Sequence, residues 1–450
     1  FKQYSFKELL SNIVDNRGKT CPTADQGLPL IATNCINNKS LYPVFEKVRY
    51  VNVETYKNWF RGHPKPEDII FVCKGSPGRV AWVKDPVDFC IAQDMVSIRA
   101  DKTKVDPKYL FALLRSDNVQ QKISNMHVGS LIPHFKKGDF GNLYLDIPED
   151  LEYQKMVGEI YFNFSMKIEQ NNKINQTLES IAQAIFKSWF IDFEPVRAKI
   201  AAKQEGKDPE RAAMCAISGK SEAELEQMAK EDFAELQATA ALFPDELVES
   251  ELGEVPKGWE LQSLYDTAEF VNGAAFKAKD FSSNTNEGLP IIKIAELKQG
   301  LSAQTKYTNL SFDQKYRVRS GDIFYSWSGS PETSLDVFKW FGGDGWLNQH
   351  IFKVVSKDYP RSFYYFELLN YLKHFKMMAE LRKTTMGHIT IDHLKTSYIS
   401  IPPKNLIEKL DKKLNILIEK IIINQKQNQE LSALRDWLLP MLMNGQVKVG

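Results

Sequence analysis

The chain has 450 residues, 43% of them hydrophobic, with 58 Lys and Arg against 57 Asp and Glu, enough apolar content for two to four domains with full cores. No run of 18 apolar residues and no basic-then-apolar leader is present, so the expectation is a soluble, unexported, cytoplasmic protein without a membrane partner. The five cysteines (Cys21, Cys35, Cys73, Cys90, Cys215) form no CxxC pair and no metal-ligand spacing, which suits a reducing compartment.

The near-zero net charge is unevenly spread: +4 over 1–150, −2 over 151–196, −7 over 197–256, +3 over 257–403 and +3 over 404–450. Both ends of the chain are mildly basic and its middle is acidic. An excess of that size is compatible with nucleic acid but does not specify it.

From the start of the chain, short β-branched and aromatic runs broken by Gly, Pro, Asn and Asp predict a strand-rich domain over 1–148. Its stations are Gly27-Leu-Pro-Leu-Ile31, Asp68-Ile-Ile-Phe71, Gly75-Ser-Pro77, and Gln93 ahead of a Met-Val-Ser-Ile strand. A helix over about 107–126, a Gly129 turn and a strand ending in Ile147-Pro148 follow. The apolar period then changes to threes and fours through Tyr161, Phe164, Ile168, Asn171, Asn175, Leu178, Ala182, Ile185 and Trp189. That spacing predicts a long helix over 149–196 with a coiled-coil seam.

The segment 197–257 is predicted to be an acidic helical connector. Asp208-Pro-Glu-Arg opens one helix, which stops near Gly219, and the capping box Ser221-Glu-Ala-Glu224 opens a second, to about Leu242. The strand-rich domain then recurs over 258–402, with Gly288-Leu-Pro-Ile-Ile292, Asp322-Ile-Phe-Tyr325, Gly329-Ser-Pro331 and Gln349 before a strand. A helix over about 360–383, a Gly387 turn and Ile401-Pro402 complete the copy. The offset between the two copies drifts only from 261 to 253, as duplication with small loop changes requires.

The seam returns over 403–446 as Leu414, Leu417, Ile421, Asn424, Asn428, Leu431, Arg435, Leu438 and Leu442. Five of the eight residues in 171–178 recur in 424–431. If the two helices pair antiparallel, Asn171 faces Asn428 and Asn175 faces Asn424. Buried Asn pairs there cost stability but penalise every other register. The predicted fold class is therefore α+β: two similar strand-rich domains, each followed by a long helix, the two helices pairing as an antiparallel coiled coil.

No catalytic constellation is found. Phe341-Gly-Gly-Asp-Gly345 fits a methyltransferase cofactor loop in letters, but Trp346 onward continues as strand, so it reads as a glycine hairpin turn. Gly219-Lys-Ser221 lacks the earlier glycine of a phosphate loop, that place being Met214. The only Pro-Asp, Pro244-Asp245, lies far from Glu296-Leu-Lys298, and the seven histidines show no metal-ligand spacing.

Two strand-rich modules, each followed by a similar Asn/Gln-centred helix, resemble the specificity subunit of type I restriction–modification enzymes over nearly the whole chain. The most specific stretches run from Gln176 to Arg197, from Ala241 to Trp259 and from Gln429 to Gln446. The segment around 198–240 is longer than the resemblance implies. The resemblance implies target-recognition domains at 1–148 and 258–402, which read a bipartite asymmetric double-stranded DNA sequence. It also implies conserved helices at 149–196 and 403–446, which space the domains and dock two methyltransferase subunits and the restriction (translocase and nuclease) subunits. S-adenosylmethionine, ATP and magnesium then belong to the partners, with no cofactor, metal or catalytic residue in this chain. A 151–191 helix spans on the order of 60 Å, which places half-sites roughly one DNA turn apart. The competing class is a non-catalytic protein-binding scaffold with duplicated domains and a coiled-coil arm; a self-contained methyltransferase–nuclease lacks its motifs.

Base readers in such modules are amides, hydroxyls, Arg, Lys or His on loops between strands. In the first module these are Arg17, Lys19, Lys74, Ser76, Arg79, Gln93, Ser130, His134 and Lys136. In the second they are Lys277, Lys279, Ser328, Ser330, Gln349, His350, His388 and Thr390. Gln93 and Gln349 are open to two readings, an adenine edge or a strand cap. The Gly-Ser-Pro segments are read as turns ahead of base contacts, and the exposed lysines are expected on phosphates.

Overall fold

The structure, a computed structural model, describes the whole chain except 17–18, 46–47, 127–132, 283–286, 303, 330–333, 382–386 and 446–450, and of 379–381 and 387–388 the backbone alone. Two compact units emerge, Phe1–Ile174 with Asn424–Gly450, and Asn175–Ile423.

In the first unit an antiparallel sheet runs in the order Leu10–Asp15, Met95–Ala100, Ile69–Val72, Val80–Trp82. A smaller sheet sets Leu28–Ile31 between Arg49–Val51, antiparallel, and Cys90–Ile91, parallel. Lys2–Ser5 pairs with Tyr144–Ile147, bringing the two ends of the module together. Strand Ile69–Val72 is buried throughout, as a central strand covered on both faces must be. Behind it Phe6, Phe71, Phe135 and Phe140 pack ring on ring with centroids 4.7 to 5.8 Å apart.

The second unit repeats this plan. Its main sheet runs Ala268–Asn272, Ile351–Ser356, Ile323–Ser326, Asp336–Lys339, again all antiparallel. Leu289–Ile292 lies parallel to Gly345–Leu347, and Glu260–Ser263 pairs with Tyr398–Ile401. Phe341–Gly345 is a turn but not a hairpin: it carries the chain from Asp336–Lys339 in the main sheet to Gly345–Leu347 in the one that holds Leu289–Ile292, with Gly343 at φ 85°.

The repeated letters have local causes. Gly27 and Gly288 start equivalent strands at φ 135° and 87°, and a Cβ there would stand 2.2 Å from the carbonyl oxygen of Val51 or Thr308. No side chain fits so close to the neighbouring strand. Asp68 and Asp322 each accept a hydrogen bond at 2.9 Å from the backbone N–H three residues earlier, Lys65 and Arg319, fixing the entry to the central strand.

Two expectations need correction. The helix expected over about 107–126 is two helices, Pro107–Arg115 and Asp117–Asn125. Ser116 breaks them apart: in extended conformation its hydroxyl donates to Leu113 O at 2.7 Å and accepts from Val119 N at 3.4 Å, capping both ends at once. The second connector helix, expected from Ser221 to about Leu242, is likewise two, Glu222–Glu226 and Lys230–Ala240, while the connector is helical as expected. Helices Glu194–Gln204, Pro209–Ser218, Glu222–Glu226 and Lys230–Ala240 precede a hairpin of Leu247–Ser250 and Gly253–Pro256. Ala213, Met214, Ile217, Leu225, Ala240 and Phe243 share one core with Trp189 and Trp259. Lys199 is buried among them, donating to Phe243 O at 2.9 Å and pairing with Glu210 at 2.6 Å.

The long helices are Leu151–Phe190 and Lys404–Met443, and each passes from one unit into the other. Every seam position named from the sequence is buried or half-buried. In the first unit Tyr153 Oη donates to Leu442 O at 2.7 Å, Arg435 lies 5.3 Å over the Tyr161 ring, and Asn171 bonds Asn428, an order only antiparallel helices give. In the second unit Lys413 lies 5.6 Å over the Trp189 ring. Of the four register asparagines, Asn171 and Asn424 are buried and Asn175 and Asn428 half-buried.

Candidate nucleic-acid interface

In the first unit the strand Ile69–Val72 ends in a loop, Cys73–Arg79, against which two other segments are pinned by backbone bonds. Phe135 N donates to Cys73 O at 2.8 Å, Gly75 N to Pro133 O at 3.0 Å, and Cys73 N to Asp94 O at 2.8 Å; Lys74 bridges to His134. The fold thus gathers Lys74, Ser76, Arg79, Gln93, His134 and Lys136 at one end of the main sheet. Arg79, His134 and Lys136 are exposed, while Lys74, Ser76 and Gln93 are half-buried. Gly75–Pro77 is a turn, with Arg79 N donating to Ser76 O at 3.4 Å. Lys19 is exposed on the approach to Cys21, which packs in a separate small core with Leu30 and Val51. Arg17 and Ser130 lie outside the described residues.

Sequence reasoning missed three residues of this cluster. Asp15, the last residue of its strand, pairs with Arg61 at 3.5 Å and Lys137 at 3.3 Å, so both cations sit at the same end of the sheet. Their signal was weak, because charged residues separated by 46 and 122 positions show no spacing rule. The Cys73 thiol beneath is pushed up to about 12 by burial, with Asp94 and Asp15 adding to the rise, so it is inert as a nucleophile.

The second unit builds the same arrangement at matching stations. Ile389 N donates to Trp327 O at 2.9 Å and Trp327 N to His350 O at 3.3 Å, and Ser328–Gly329 pairs with Gly387–His388. Asp94 and His350 are equivalent, each at φ near +70° (73° and 72°) just before the strand that crosses the sheet. Gln93 and Gln349 are therefore equivalent as well; Gln349 N donates to Ala274 O at 2.8 Å, tying in the loop that carries exposed Lys277 and Lys279.

Two residues expected here as readers are placed otherwise. Ser328 is buried, only 3% exposed, because its strand pairs with Gly387–His388. Thr390 is exposed but works as a helix cap, its N–H donating to His393 Nδ1 at 2.9 Å. Gly387 belongs to the bridging strand rather than to a turn; Gly129 and Ser330 lie outside the described residues, as does the His388 side chain. Sequence reasoning also missed Asn272 and Trp327, joined by an indole Nε1 to Oδ1 bond of 3.0 Å.

Each cluster offers exposed cations, amides and imidazole on loops held by backbone bonds, the inventory that binds phosphates and reads base edges. Among the described residues no three His, Cys, Asp or Glu are placed to share a metal ion, and no helix is long and apolar enough to cross a membrane.

Comparison with known proteins gives consistent findings. A family profile described as the type I restriction modification DNA specificity domain matches residues 14–180 and 256–433. The specificity subunit of the type I restriction enzyme HindI of Haemophilus influenzae is 31% identical over 432 residues, covering 92% of this chain and 92% of that protein. The specificity subunit of the type I restriction enzyme MjaIX of Methanocaldococcus jannaschii is 25% identical over 394 residues, covering 85% of this chain and 78% of that protein. A crystal structure of a type I restriction-modification S subunit from M. genitalium matches at 13% identity with a TM-score of 0.46, covering 98% of this chain and 95% of that one.

Proposed function

We propose that this chain, which belongs to the type I restriction modification DNA specificity family, reads a bipartite asymmetric DNA target with its two strand-rich modules and carries the catalytic subunits to it. As a specificity subunit it recognises DNA and is itself non-catalytic. The observation that carries the bipartite reading is the duplicated loop cluster: Cys73, Asp94 and His134 in one module stand where Trp327, His350 and His388 stand in the other. The backbone arrangement is kept and the side chains differ, as two readers of different half-sites require.

Partner docking is assigned to the long helices, with two methyltransferase subunits and the restriction subunits as occupants. Supporting this, the helix Lys404–Met443 exposes large apolar side chains that its own unit leaves uncovered, Leu434 and Trp437 (63% exposed) in the first unit, Ile416 (69%) and Ile423 in the second. Ile416 and Ile423, seven apart, share one helix face. S-adenosylmethionine, ATP and magnesium are assigned to the partners.

The test is a map of methylated adenines in a genome with and without this gene, beside mobility-shift binding with and without a methyltransferase subunit. A split motif that vanishes with the gene, and salt-sensitive, partner-enhanced binding, are expected. Protein binding without any DNA preference would instead identify a scaffold. Lengthening both long helices by matched turns should change the spacer and keep the half-sites.

A further inference from the structure

We propose that Asn272 is a base-reading residue of the second module and that Trp327 sets its hydrogen-bonding sense, so that it donates to a base with a major-groove acceptor and rejects cytosine. The inference rests on the DNA-recognition reading above and specifies one contact within it.

Asn272 is the last residue of its strand, exposed, at the end of the sheet where His350 and the Ser328–Gly329 strand lie. The indole of Trp327 is held in place by its backbone bonds to His350 and Ile389 and by ring contacts to His350 at 5.2 Å and Phe352 at 5.7 Å. An indole N–H is a donor only, so the Asn272 atom 3.0 Å from it is Oδ1. A free asparagine reads adenine with both ends of its amide, accepting from N6 and donating to N7. With Trp327 donating to Oδ1 the amide is fixed in one orientation, and the Nδ2 hydrogens, which meet no protein acceptor among the described contacts, are presented to donate. Their partners in a major groove are the acceptors of guanine (O6 and N7), adenine (N7) and thymine (O4), whereas cytosine offers none.

The first module makes the opposite choice at the same station. Asp15 pairs in register with Val96 as Asn272 does with Phe352, and Cys73 stands where Trp327 stands. A carboxylate accepts only, and here Arg61 and Lys137 hold it. The two modules therefore carry opposite hydrogen-bonding character at one equivalent point, which suits an asymmetric target.

The experiment uses the full chain with its methyltransferase subunits in cells, and reads the methylated motif genome-wide for the wild type, Asn272→Ala, Asn272→Asp and Trp327→Phe. Asn272→Ala should make one position of one half-site degenerate, lowering discrimination there roughly tenfold, with the other half-site and spacer unchanged. Asn272→Asp should move the preference at that position toward cytosine, whose amino group suits an acceptor. Trp327→Phe keeps a ring but frees the amide to turn and present its oxygen, and cytosine should then be admitted at the same position. The motif staying the same in all three variants overturns the proposal. So does a uniform fall or complete loss of methylation with Asn272→Ala, since that marks a residue that holds the module together and reads nothing. If the wild type yields no split motif, it is the DNA-recognition reading that fails.

Discussion

Asn171 Nδ2 donates to Asn428 Oδ1 at 2.9 Å, across two helices whose other seam residues are mostly apolar, and a second bond reaches Gln427 Oε1 at 2.8 Å. Asn428 in turn donates to Asn172 Oδ1 at 2.8 Å, so a small amide network closes only in this register. Asn171→Leu should cost about 1–2 kcal/mol in urea unfolding, because Asn428 loses its buried donor. Asn171→Leu with Asn428→Leu should recover part of that loss. The double variant should also lose uniqueness: cysteines placed at 165 and 435 would no longer give a single cross-linked species. A double variant that stays as uniquely paired as the wild type would remove the register role.

Asp68 and Asp322 share a motif but not a weight. Besides capping Lys65 N, Asp68 receives Arg99 in a fork at 2.7 and 2.9 Å and Ser97 Oγ at 2.9 Å, and is itself only 1% exposed. At Asp322 the bond to Arg319 N is the counterpart of the cap alone. Asp68→Ala should therefore destabilise by about 3 kcal/mol, through the stranded Arg99 guanidinium, and Asp322→Ala by about 1 kcal/mol, the usual worth of a cap. Thermal unfolding of the two variants side by side checks the ordering; equal losses would mean that the Arg99 fork contributes little.

Much of this architecture was legible because duplication makes each motif appear twice. Glycine at 27 and 288 and aspartate at 68 and 322 recur for backbone reasons that act identically in both copies, so letters and geometry agree. The long helices declared themselves by period, down to the facing of Asn171 and Asn428. What escaped was what does not repeat or has no period. Ser116 divides a helix by a hydroxyl bond that no hydrophobic pattern records, and the connector core was hidden by an acidic surface. At the candidate interface the equivalent stations carry different residues, Asp15 and Asn272, Cys73 and Trp327, so no repeated letter marked them.

Glu367 lies wholly inside the second unit, and burial pushes its carboxyl up to about 8 from an ordinary value of 4.5. Nearby Tyr371 is pushed up to about 12, first by burial and then by Glu367 itself. The folded state thus keeps a proton that the unfolded state releases above 4.5, so this residue's contribution to stability falls as pH rises from about 4.5 to about 8 and is level beyond. Glu367→Gln should flatten that slope, leaving a variant less stable than expected at pH 5 but relatively gaining by pH 8. Urea midpoints across that range for both proteins measure the difference directly; parallel pH curves would show that Glu367 titrates normally.

The cations of the first module should separate affinity from specificity. Arg79 and Lys136 are exposed beside the loop cluster, whereas Arg61 and Lys137 are held by Asp15. A side chain that meets a phosphate releases counterions, and removing one such contact lowers the slope of log affinity against log salt by about 0.9. Arg79→Ala and Lys136→Ala are each expected to weaken binding to all duplexes; Lys136→Ala leaves the methylated motif unchanged, while Arg79→Ala, which removes a candidate base reader, also relaxes one position of it. Asp15→Ala should act in the opposite direction, because it frees Arg61 and Lys137 for the backbone: binding to unrelated DNA should tighten and its salt slope steepen. The carboxylate would then be what keeps this end of the sheet from gripping DNA indiscriminately. Salt titrations of binding to target and non-target duplexes distinguish the cases, and an unaltered slope in all three variants would place the DNA on another face of the module.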